Sequence, residues 1–162
     1  MKRHSGWLAG GLLLFVVLAC NLSKNNNNSN NSNSNSNKNS NAITNSRPAN
    51  ADVYIETTSM AKDKNGDPGA TTTTFAPDDH TIHVVADLNK AKGGTKVKFV
   101  WKAVDVAGAK DKEIKTIDYT TKSFENKLHG QLTKPTDWPK GTYQVEIYIN
   151  GFLDKSIIYT VE

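Results

Sequence analysis

The chain has one cysteine, Cys20, so no disulfide can close within it and a framework of stapled loops is excluded. Arginine is absent after Arg47, and from Asp52 onward 15 Lys stand against 16 acidic residues, a net of −1. The formal +4 of the whole chain therefore comes from Lys2, Arg3, Lys24, Lys38 and Arg47, and nucleic-acid recognition loses its main support. No apolar run reaches the roughly 20 residues of a permanent membrane helix. Helical spacing of apolar residues is nowhere sustained, which argues against a helical or α/β domain.

Composition divides the chain into residues 1–19, 20–50 and 51–162. Lys2 and Arg3 precede an uncharged stretch from Trp7 to Ala19 rich in Leu, Val, Ala, Gly and Phe, the pattern of a secretory signal. It ends in Val17-Leu18-Ala19-Cys20, which resembles the lipobox of bacterial lipoproteins. The resemblance implies cleavage before Cys20, a diacylglyceryl group on its sulfur and often a further fatty acyl chain on the freed amine. Two or more chains suffice for stable anchoring. It also implies an extracytoplasmic place on the cell membrane or outer membrane, with Asn21 compatible with the latter. The alternatives are an ordinary cleavage site and an uncleaved anchor helix.

From Asn21 to Asn50 there are 14 Asn and 7 Ser in 30 residues. Such a stretch buries too little apolar surface to offset the entropy of ordering its backbone, and is expected as a disordered tether. A flexible coil of that length has a typical reach of about 30 Å.

From residue 51 the apolar pattern has a period of two, placing successive side chains on opposite faces of a strand. Val53 and Ile55 begin one run; Ile82, Val84, Ala86 and Leu88 form a second; Val97, Phe99, Trp101 and Ala103 form a third, with Lys96, Lys98 and Lys102 on its other face. A less regular strand is expected over Glu113 to Tyr119, and a fifth through Phe124, Leu128 and Leu132. The final pair runs through Tyr143, Val145, Ile147 and Ile149, then through Leu153, Ile157, Tyr159 and Val161, joined by Asn150-Gly151 as a type I′ hairpin turn. Six or seven strands in this length predict an all-β, antiparallel two-sheet sandwich, with a small barrel as the other solution. The strand order, an inward Trp101 and the run Asp137 to Tyr143 resemble the immunoglobulin-like sandwich. There a Tyr at the start of the penultimate strand bonds back across a corner, and Tyr143 is the matching position.

Asp63-Lys64-Asn65-Gly66-Asp67 places oxygen-bearing Asp63, Asn65 and Asp67 at alternate positions, as the first half of a calcium loop does. Its second half is missing: Thr74 stands at position twelve and Pro68 at position six. A polar turn is the plainer reading, and no cofactor or metal is assigned. Asp78, Asp79, His80 and His83 form a cluster of acid/base type, but residues 80 and 83 face opposite sides of an extended chain. His129 has no Ser, Cys or carboxylate beside it in sequence. Tyr148, on the polar face of its strand, Trp138 and Lys98 are the candidates for a binding surface, with Trp138 also suited to packing over the sandwich end.

The sequence thus points to a lipid-anchored envelope protein presenting a non-catalytic binding, adhesion or structural module, with an envelope protein or glycan as partner. An envelope enzyme or metal-dependent accessory factor using Asp78, Asp79 and His83 is the alternative.

Overall fold

The computed structural model describes residues 46–162; Cys20, the apolar segment before it and most of the expected tether lie outside the described residues. Nine strands follow in order: β1 Ile55–Lys64, β2 Asp67–Thr71, β3 Thr74–Phe75, β4 Thr81–Leu88, β5 Lys96–Val106, β6 Ala109–Thr120, β7 Lys127–Thr133, β8 Gly141–Ile149 and β9 Phe152–Val161. They build two sheets, ordered β2-β1-β4-β7 and β3-β9-β8-β5-β6. All pairs are antiparallel except β3 with β9, where Thr74 lies beside Thr160 in parallel.

Three two-residue turns set hairpin registers: Asn65-Gly66, Ala107-Gly108 and Asn150-Gly151 all have positive φ at both positions. That is the type I′ geometry, whose twist matches that of the flanking strands. Alternation does the rest. Ile82, Val84, Ala86 and Leu88 from β4 and Val97, Phe99, Trp101 and Ala103 from β5 point between the sheets and are buried, as are Tyr143, Val145, Ile147 and Ile149 from β8. Burying one such aliphatic or aromatic side chain is worth roughly 1.5–3 kcal/mol, so this interior is the main source of stability.

An aromatic chain runs through the core toward one end. Phe75 and Trp101 meet Tyr159 edge-on, Tyr159 stacks on Tyr143 at 5.3 Å, and Tyr143 takes the edge of Trp138 at 5.7 Å. The Tyr143 hydroxyl donates to the Pro139 carbonyl at 2.7 Å, closing the corner the sequence indicates. Trp138 is therefore a core residue, 4% exposed.

Four features differ from the sequence expectation. There are nine strands, because β2 and β3 are short and polar, and one pair is parallel. Phe124 belongs to no strand; it sits in the turn before β7 and is 93% exposed. The polar turn expected over Asp63 to Asp67 is there, but it is the tip of a hairpin whose second strand, β2, the apolar pattern does not show. Finally, composition places residues 46–50 with the tether, yet Ser46 exchanges two hydrogen bonds with Leu153, each of 2.9 Å.

Candidate functional site

Sheet pairing brings together three side chains far apart in sequence. His83 on β4 lies opposite Ala61 of β1 and Gln131 of β7, on the outer face of its sheet. Its Nε2 is 2.8 Å from Asp63 Oδ1, and its Nδ1 is 2.7 Å from His129 Nε2. The two imidazoles lie nearly parallel at 4.9 Å. Although it points away from the core, His83 is fully buried, while His129 is exposed.

The His83 hydrogen bond holds the Asp63 carboxyl below its ordinary range, with the Gly66 amide adding to the effect. With Asp63 accepting from His83 Nε2–H, the Nδ1 of the same ring is left to pair with His129 Nε2. Burial pushes His129 down, the His83 charge pushes the same way, and the Asp67 carboxylate opposes both. The row can hold and exchange a proton. Its ladder neighbours are Ala61, Val85 and Gln131.

The other members of the sequence cluster go elsewhere. Asp79 accepts from Lys62 at 2.6 Å and from the Ala76 amide at 2.7 Å, fixing the loop before β4. His80 Nε2 is 3.1 Å from Asp137, and Asp78 is exposed. Asp78, Asp79 and His83 therefore do not converge, which removes the geometry that an enzyme or metal factor built on them requires. Asp63, Asn65 and Asp67 do not form a cation ring either: Asp63 is committed to His83 and to the Gly66 amide, and Asn65 occupies the turn at φ 58°. Among the described residues no three ligand-type side chains gather around one point.

Of the surface candidates, Lys98 and Tyr148 occupy each other. Lys98 Nζ lies 4.8 Å from the centre of the Tyr148 ring, while the Tyr148 hydroxyl donates to Glu146 at 2.8 Å, which also accepts from Lys102 at 3.1 Å. The Glu146 bond and burial hold the Tyr148 phenol above its ordinary value, burial contributing most. Tyr148 is half-buried and remains on the outer face of the second sheet.

An apolar cleft of about 350 Å³ opens between β6 and β7, one edge strand of each sheet. Its walls include Val106, Ile114, Leu132, Trp138, Pro139 and Tyr143. Ile114, 41% exposed, marks its rim. Trp138 thus contributes a wall of the cleft rather than an exposed stacking ring. Sequence reasoning missed the cleft because its residues come from four strands and a loop; of its walls only Trp138 was named as a binding-surface candidate.

No protein-family model matches the chain, and no curated protein matches it. Solved structures do. An immunoglobulin-like protein from Pseudomonas aeruginosa is similar over 71% of this chain and all of its own, with a TM-score of 0.50 and 14% identity. An alkylpurine DNA glycosylase from Pseudomonas fluorescens, solved bound to DNA containing an abasic site analogue, is similar over 69% of this chain and 31% of its own, with a TM-score of 0.44 and 12% identity. The first likeness establishes an immunoglobulin-like sandwich and says nothing of activity.

Proposed function

We propose that the chain is a lipid-anchored envelope protein presenting a non-catalytic immunoglobulin-like binding module, and that an extended apolar segment of an envelope protein lies in the cleft between β6 and β7. The carrying observation is the cleft itself: an open apolar trough bounded by two free strand edges. Such edges offer unpaired backbone groups to an extended chain, and an apolar floor takes its alternate side chains. The titratable row of Asp63, His83 and His129 is on the outer face of one sheet, and Ala61, Val85 and Gln131 beside it supply no nucleophile. Anchoring rests on Val17-Leu18-Ala19-Cys20 and the tether that follows. With a net of −1 the domain lacks the overall basic balance that nucleic-acid binding draws on.

Two experiments test this reading. Metabolic fatty-acid labelling of the wild type and Cys20→Ala is expected to label only the wild type; label retained by the variant overturns the anchor. Capture of a partner from envelope extract is expected to fall at least tenfold with Ile114→Glu, a rim substitution that leaves the core untouched. Capture lost with Tyr148→Ala but kept by Ile114→Glu places the interface on the outer face of the second sheet instead.

A further inference from the structure

The end of the sandwich that receives the tether is built unlike the rest of the surface. Residues 46–54, the β4–β5 loop, the β6–β7 loop and the β8–β9 turn meet there. The Asn89 amide bonds to the Tyr54 carbonyl at 2.9 Å, that of Gly94 to Thr121 at 2.9 Å, that of Leu88 to Asn126 at 2.7 Å, and that of Asn150 to Lys96 at 2.8 Å. Two of the three large apolar side chains that the described surface exposes stand at this end: Phe124, 93% exposed, and Phe152, 48% exposed.

Phe124 is presented by an ordered turn. Its φ is 66°, a conformation that bulky L side chains seldom adopt. The turn is held by Glu125, which accepts from the Lys122 amide at 2.8 Å and from the Tyr119 hydroxyl at 2.6 Å. Phe152 borders a small depression with Arg47, Pro48 and Lys92.

The loops here are also basic within a domain of net −1. Arg47, Lys90, Lys92, Lys96, Lys122 and Lys127 stand against Asp52, Asp87, Glu125 and Asp154, six cations to four carboxylates. Asp52 pairs with both Lys90 and Lys92, and Glu125 is taken by Tyr119. Lys96 and Lys122 form no ion pair among the described residues.

We propose that this end docks on an anionic lipid surface, with Phe124 and Phe152 entering the headgroup layer and the lysines meeting lipid phosphates. The inference rests on the reading that Cys20 is acylated. Cys20 and Ser46 are 26 positions apart, so an acylated Cys20 keeps this end no farther from the bilayer than a fully extended chain of that length, about 90 Å. Exposed aromatics with neighbouring lysines are the composition of interfacial anchors, and an anionic leaflet attracts basic groups within a Debye length. A protein partner on this end is the competing outcome.

The test uses the mature chain from residue 20 carrying Cys20→Ser, so that no acyl chain contributes. It is sedimented with vesicles of phosphatidylglycerol and phosphatidylethanolamine, and with phosphatidylcholine vesicles. Binding is expected only to the anionic vesicles, to weaken with salt, and to fall at least fivefold with Phe124→Ala and with Lys96→Glu plus Lys122→Glu. Equal sedimentation with phosphatidylcholine, or no sedimentation at all, overturns the proposal. So does vesicle binding indifferent to Phe124→Ala, with loss of a captured envelope protein in that variant, which assigns the end to a protein. The labelling of Cys20 is read separately: label without vesicle binding sinks the docking alone, and vesicle binding without label sinks the anchor alone.

Discussion

Arg47 and Asp154, 107 positions apart, form an ion pair of 3.1 Å that fixes the segment before β1 to β9. Asp154 is 1% exposed and also accepts from the Ile55 amide at 3.3 Å, so one carboxylate joins the incoming chain, the start of β1 and β9. Arg47 stacks over the Tyr54 ring at 4.5 Å as well. The guanidinium is partly solvated, whereas the carboxylate is not, and an unpaired buried charge costs several kcal/mol.

Arg47→Ala is therefore expected to destabilise the domain by about 3 kcal/mol at neutral pH, read from urea unfolding. Burial pushes the Asp154 carboxyl up, so its protonated form is the one the fold prefers. A group with a raised folded value gives its full stability below the unfolded value and loses it as pH rises through the folded one. The deficit of Arg47→Ala should thus shrink as pH falls toward 4. A deficit that grows with acid contradicts the assignment.

Tyr143 and Tyr159 stack on each other, yet their hydroxyls are treated differently. The Tyr143 hydroxyl has the Pro139 carbonyl, while that of Tyr159 is buried with no partner and burial pushes its phenol up. Tyr143→Phe is expected to cost about 1 kcal/mol. Tyr159→Phe is expected to be neutral or to stabilise by a similar amount, since it removes a polar atom that finds no bond. Opposite shifts in urea midpoint are the diagnostic result.

Gly141 opens β8 at φ 151°, where a Cβ would collide with the Asp105 carbonyl oxygen and lie 3.0 Å from Val106 Cα. Both obstacles are backbone of the neighbouring strand and cannot swing aside. Gly141→Ala should destabilise by about 3 kcal/mol, and Gly151→Ala, which faces open space, by about 1 kcal/mol from φ alone. Equal losses on thermal unfolding would remove the steric account.

The interior was legible in the sequence where one face of a strand is apolar and the other polar. Residues 82–88, 97–103 and 143–149 alternate, and every second residue from Ile82, Val97 and Tyr143 is one the sheets enclose. Asn150-Gly151 announced its hairpin, and Tyr143 its corner. Asn65-Gly66 carries the same turn signal, but Thr57 to Lys64 and Asp67 to Thr71 contain few apolar side chains, so no alternation drew attention to it. The titratable row was illegible for a different reason. Period two assigns His83 to the outer face, which it occupies; its burial comes from Asp63 and His129, set on neighbouring strands by a register that no local pattern encodes.

That register makes the row a pH-sensitive tie across β1, β4 and β7. His129 titrates below its ordinary value, with burial as the main cause. A depressed folded value means that the neutral form stabilises the fold above about 6.5 and that this contribution is lost as pH falls through the folded value. Stability should decline between pH 7.5 and pH 5, with amide exchange rising first in β7 and at the β1–β2 hairpin, where His129 and Asp63 sit. In His129→Gln the decline should flatten, because the titrating partner is gone. A profile of unchanged slope in that variant would place the sensitivity elsewhere.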